Sequence, residues 1–114
     1  MSNYPYKEHW ILEIKDISRE KIEKVQHFVP YADVYIKQLG LTEIEEFSQQ
    51  FEPYGVTLVK ILGESHIAFH SWPEYNYLHI DLLTCIELGL TKEKLQFLTE
   101  EVFEAEDVHI RQVN

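Results

Sequence analysis

The chain is short of cysteine and of positive charge, and it has no long apolar run; each shortage closes off a class of protein. Its one cysteine, Cys85, cannot form an intramolecular disulfide. Cys85 is therefore either a small buried apolar group or a working thiol. Ten Lys and Arg face twenty Asp and Glu, a formal charge of -10. That balance leaves no basic stripe for a phosphate backbone and excludes nucleic acid as a partner. The acid excess is expected on solvated helix faces, where it keeps a protein soluble. There is no run of about eighteen apolar residues and no basic-then-apolar leader. Neither a membrane span nor a signal peptide is expected, and the expected compartment is the cytoplasm.

What is present is apolar bulk. Hydrophobic residues make up 45% and aromatics 13% of 114 residues, too much for a disordered segment and enough for one core. A single domain over residues 1–114 is expected. "HWILEIKDI" (9–17) opens apolar and settles into strand alternation. In "SREKIEKVQHFVPYADVYIKQLG" (18–40), Ser18 can cap a helix on which Ile22, Val25 and Phe28 recur, with Gly40 closing it. Pro30 predicts a kink or an end near His27 to Phe28, unless a second helical piece begins there. "LTEIEEFSQQFEPYG" reads as a strand, and so do "VTLVKILG", "HIAFHSW" and "YLHIDLLTC". "TKEKLQFLTEEVFEAE" is a helix capped by Thr91, and "DVHIRQV" is a last strand. The order predicts an α+β two-layer sandwich, an antiparallel sheet with two helices on one face. The other face would need a cover, and a homodimer packing sheet against sheet would supply it.

The polar residues of "GESHIAFHSWPEY" (63–75) are unexpected in a strand of such apolar filling. His66 and His70 have the i, i+4 spacing of helical zinc ligands, but four extended residues would separate them by about 13 Å. No metal site is expected. Ser65 and His70 differ by five, so on one unbroken strand they face opposite ways, and a working pair needs a break between them. Gly63 is where a bend is cheap. A serine-hydrolase elbow of the G-x-S-x-G type is missing. In the next strand Tyr77, His79, Asp81, Leu83 and Cys85 share one face, which carries that strand's ionisable groups.

Together, "GVTLVKILGESHIAFHSWPEYNYLHIDLLTC" (55–85), the upstream "FEPYGVT" and the "HWILEI" strand resemble the prokaryotic S-adenosylmethionine decarboxylase proenzymes over about residues 9–110. The family's pattern is a "PYGVS" entry, an "ESH" triplet, a "HTWPEYGY" segment and a "DLFTC" end. The resemblance implies an S-adenosylmethionine decarboxylase-like fold and a chain that cleaves itself between Glu64 and Ser65 into residues 1–64 and 65–114. Ser65 would become a pyruvoyl group, the cofactor, which condenses with the substrate amine as a Schiff base. His70 would take the proton during processing and Cys85 would be the proton donor in decarboxylation. Glu74 would hold the ribose hydroxyls and Phe51 would stack on the adenine. The implied product is the aminopropyl donor for spermidine. A strained Gly63–Glu64–Ser65 bend would favour the acyl shift.

Some positions depart from the family pattern. Asn76 replaces the glycine of "EYGY", Ile86 a glycine after the cysteine, Thr57 a serine that assists processing, and Leu58 a small residue. Leu58 and Asn76 are expected to alter pocket shape. Ornithine or arginine as substrate, or an uncleaved non-enzymatic relative, are the alternatives.

Overall fold

The computed structural model describes residues 4–113; residues 1–3 and 114 of the expected domain lie outside the described residues. In chain order the elements are β1 (Glu8–Lys15), α1 (Arg19–Ile22), α2 (Val25–Leu39), β2 (Glu45–Gln50), β3 (Val56–Leu62), β4 (Ser65–Trp72), β5 (Tyr77–Thr84), α3 (Lys92–Phe103) and β6 (Asp107–Val113), with one 3-10 turn at Pro73–Tyr75. The strands form one antiparallel sheet in the order β2-β3-β4-β5-β1-β6. This is the α+β sandwich that the patterning predicts, with the short α1 added just ahead of α2.

Alternation decides which residues face the helices. In β3, β4 and β5 every second side chain is buried, so Leu58, Leu62, Ile67, Phe69, Ile80 and Leu82 lie in the core while their neighbours stay part-exposed. Phe28 and Tyr35 of α2 and Phe103 of α3 meet Phe69 in an aromatic cluster with ring centroids 5.1 to 6.4 Å apart. Each such side chain contributes about 1.5–3 kcal/mol by leaving water. The one polar group in the cluster, the Tyr35 hydroxyl, is satisfied by Thr99 Oγ1 at 2.8 Å. Among the described residues, no helix is long and apolar enough to cross a membrane.

Pro30 neither ends nor replaces the helix where the sequence predicts. It lies inside α2, and the break comes earlier, at Glu23 and Lys24. A distant residue makes that break possible. The Gln50 side chain accepts from the Val25 amide at 2.7 Å and donates to the Glu23 carbonyl at 3.0 Å, replacing bonds that a continuous helix would make. Ser18 does cap α1 by position, yet its side chain makes no capping bond, whereas Thr91 Oγ1 accepts from the Lys94 amide at 3.1 Å.

Candidate active site

Leu62 pairs with Ser65 across the β3–β4 hairpin, leaving Gly63 and Glu64 as a two-residue turn. The turn's positive φ, +69°, falls on Gly63, where it is free of strain. Among the described residues the non-glycine positions with positive φ are Asp16, Asn76 and Glu104. The backbone strain expected at Glu64 and Ser65 is therefore not found. Ser65 is 3% exposed and faces the helices. Its hydroxyl accepts from the Cys85 amide at 2.9 Å, and the Cys85 thiol donates to the Glu64 carbonyl at 3.3 Å. Cys85 thus touches both sides of the Glu64–Ser65 bond.

His70 is not part of that cluster. β4 runs unbroken from Ser65 to Trp72, without the bend anticipated between them. The two side chains therefore keep the opposite facing that parity dictates, about 17 Å apart along the strand. His70 lies instead with Phe51, Tyr54, Thr57, Trp72 and Glu74 around a cleft of about 390 Å³. Phe51 and Glu74 are exposed at its rim. Thr57 Oγ1 is 3.3 Å from His70 Nδ1, so threonine keeps the hydroxyl contact there.

Two departures from the pattern do not do what the sequence suggests. Leu58 is fully buried on the helix side, one residue out of phase with the cleft, and so does not shape it. Asn76 sits at φ 51°, ψ 42° as the cap of the 3-10 turn, and the cleft lining does not include it. The backbone there is left-handed, a conformation that asparagine tolerates better than other side chains, which accounts for its standing where a glycine is usual. Its amide adds a 3.1 Å bond to the Ile17 carbonyl.

On the open face, strand register lines up Gln49, Thr57, His70, His79, Glu13 and His109 in one row across all six strands. The His70 and His79 rings are 6.4 Å apart. The Tyr77 hydroxyl donates to Glu13 Oε2 at 2.9 Å and lies 3.4 Å from His79 Nδ1; burial and that carboxylate push the Tyr77 phenol up to about 12. Burial, then the neighbouring His79, lowers the His70 pKa, with Asp81 opposing. His9 pairs with Asp81 at 2.8 Å.

His66 and His70 share the open face but belong to different rows. Among the described residues, the one group of three potential metal ligands close together is Asp33, Glu43 and Glu46. The fully buried Lys60 ammonium is bonded to all three. Burial pulls the Lys60 pKa down, but the three carboxylates win and the net direction is up. Neither Lys60 nor the Tyr77–His79 pair was singled out for chemistry in the sequence. The available signal for Lys60 was a charge in phase with Leu58 and Leu62.

A family model described as S-adenosylmethionine decarboxylase matches residues 8–114. The chain is similar to the S-adenosylmethionine decarboxylase proenzyme of Synechococcus sp., 33% identical over 94 residues, 82% of this chain and 73% of the relative. It is also similar to the proenzymes of Thermoplasma volcanium (31% over 94 residues; 82% and 72%) and Archaeoglobus fulgidus (28% over 92 residues; 81% and 82%). In fold it resembles the crystal structure of the adenosylmethionine decarboxylase from Aquifex aeolicus, with a TM-score of 0.81 at 22% identity over 96% of this chain and 89% of that one.

Proposed function

The chain belongs to the S-adenosylmethionine decarboxylase family, and from that premise we propose that it is a proenzyme which cuts itself between Glu64 and Ser65 and then decarboxylates S-adenosylmethionine, giving the aminopropyl donor of spermidine synthesis. The observation that carries this reading is the double contact of Cys85 with Ser65 Oγ and the Glu64 carbonyl. The thiol hydrogen bond polarises the carbonyl that Ser65 Oγ attacks. The Glu64–Ser65 C–N bond breaks as the ester C–O bond forms. Loss of the Ser65 α-proton with the ester oxygen then separates residues 1–64 from 65–114, and hydrolysis of the resulting dehydroalanine releases ammonia and leaves the pyruvoyl group.

The residues around position 65 fit such a group: the site is buried, with an amide donor on the side-chain oxygen and a thiol beside it. Once formed, it supplies an electron sink for the pair left by departing carbon dioxide. Cys85 Sγ is the acid at hand to return a proton to carbon. Glu74 and Phe51, at the cleft rim, suit a ribose diol and an adenine ring. The matched relatives are named for S-adenosylmethionine, which favours that substrate over ornithine or arginine.

Two features of the fold support this reading. The strand order β2-β3-β4-β5-β1-β6 interleaves the two pieces, since β1, β2 and β3 belong to 1–64 and β4, β5 and β6 to 65–114. Cleavage at the hairpin would leave the sheet joined. Also, His70 and the cleft are too far from Ser65 to serve it within one chain. A two-fold homodimer, open face against open face, would bring the cleft end of one copy to the Ser65 end of the other. Each site would then combine Ser65 and Cys85 of one copy with His70, Glu74 and Phe51 of the other, in the cytoplasm and without nucleic acid or membrane.

The test is a denaturing gel followed over hours, with carbon dioxide release measured from S-adenosylmethionine, ornithine and arginine. Two bands and release from S-adenosylmethionine are expected. One full-length band with no release would sink the reading.

A further inference from the structure

His79, Tyr77 and Glu13 have no part in the reading above, yet they adjoin His70 in the same row of the sheet. His70 and His79 are cross-strand partners on β4 and β5 with ring centroids 6.4 Å apart. The Tyr77 proton is committed to Glu13, so the Tyr77 oxygen is free to accept Nδ1–H of His79. That holds the His79 ring by one nitrogen and leaves Nε2 open. On its other side, His70 meets the neutral Thr57 hydroxyl.

We propose that His79, anchored through Tyr77 to Glu13, is a positioning residue for His70: it restrains the His70 ring in its row and keeps a second positive charge off it, so that His70 stays free to accept the processing proton. The proposal rests on the assignment of His70 as the processing base. Two imidazolium rings at this separation would repel each other. The groups facing His70 make the effect directional. From β5 come His79, Tyr77 and Asp81, from β1 Glu13, from β4 itself His66 and Trp72, from the 3-10 turn Glu74, and from the β2–β3 connection Tyr54. Asp81 would draw a proton toward His70 but is engaged by His9, and Glu13 is engaged by Tyr77. His79 is left as the neighbour that repels. The His70 pKa is lowered by burial first and by His79 second, and the His79 contribution has the direction proposed.

The test uses the full chain. Ring-proton NMR of His70, in a Ser65→Ala background that cannot cleave, is compared with His79→Gln and Tyr77→Phe added. Alongside, the pH profile of self-cleavage is measured with Ser65 intact. His79→Gln is expected to move the His70 midpoint, and the acid limb of cleavage, to higher pH. Tyr77→Phe, which keeps the ring and frees it from Glu13, is expected to broaden or shift the His70 titration with the fold kept. An unchanged His70 midpoint and an unchanged acid limb in His79→Gln overturn the proposal. If the Ser65 chain never cleaves while the His70 midpoint still moves with His79→Gln, the His70–His79 coupling is supported and the decarboxylase reading alone fails.

Discussion

The Cys85 amide donates to the Ser65 hydroxyl at 2.9 Å while the Cys85 thiol donates to the Glu64 carbonyl at 3.3 Å, so one residue after β5 grips both ends of a single peptide bond. The amide contact needs no side chain, and the thiol contact does. The two roles proposed for Cys85 can therefore be pulled apart.

In Cys85→Ala the amide still holds Ser65 Oγ, and only a weak S–H donor is lost. Self-cleavage should slow by no more than about tenfold, the worth of one hydrogen bond. Decarboxylation should fall by about 10²–10⁴, as for loss of a general acid. A gel time course beside carbon dioxide release measures both. Equal losses in the two would show that Cys85 does not act as the acid.

The distance between Ser65 and His70 within one chain leads to a mixing experiment. Ser65→Ala and His70→Ala chains should each remain uncut when prepared alone. Refolded together in equal amounts, they would form hybrid dimers carrying one intact composite site. About half of the His70→Ala chains should then cleave, by random pairing in a two-fold dimer. No cleavage in the mixture, with dimers present by sedimentation, would mean that the site is not shared.

Much of this was legible in the chain. Period-two alternation set Leu78, Ile80 and Leu82 of β5 opposite Tyr77, His79 and Asp81, as burial bears out, and parity alone separated Ser65 from His70. What stayed hidden depended on partners far along the sequence. Nothing local shows that Gln50 will bridge the gap between α1 and α2, so Pro30 drew the break to the wrong place. The His70–His79 row depends on the register set by the 3-10 turn and its left-handed Asn76, which spacing does not give. The reverse error occurred at Gly63, where a glycine next to the cut suggested strain and instead relieved it.

Lys60 shows what such hidden partners contribute. Lys60→Met would leave Asp33, Glu43 and Glu46 facing one another without their cation. The carboxylates left behind are exposed and keep their hydration, so the loss of stability should be about 1 kcal/mol, well short of the cost of stranding a buried charge. Added salt should recover part of it. In the parent chain the sign is that of a lysine with a raised folded pKa: its stabilisation is complete below the unfolded value of 10.5 and fades as pH climbs beyond it. Urea midpoints from pH 8 to 11.5 would show a decline in the parent that Lys60→Met lacks. A parallel decline in both would remove Lys60 as its cause.

Glu74 and Phe51 test the substrate rather than the reaction. Both are exposed at the cleft rim and take no part in the proposed acyl shift or elimination, so their loss should spare self-cleavage. A carboxylate bound to a diol makes charge-assisted hydrogen bonds worth about 1.5–3 kcal/mol, and Glu74→Gln should raise KM for S-adenosylmethionine by about 10- to 100-fold. Phe51→Ala should act in the same direction, more weakly, through lost stacking of about 1 kcal/mol. Because these contacts grip parts of the substrate that do not react, kcat should change far less than KM. Release from ornithine, which has neither ribose nor adenine, should be indifferent to both changes. If Glu74→Gln and Phe51→Ala leave KM for S-adenosylmethionine where it was, the cleft does not bind the nucleoside, and the reaction chemistry at Ser65 and Cys85 would have to be served from another surface.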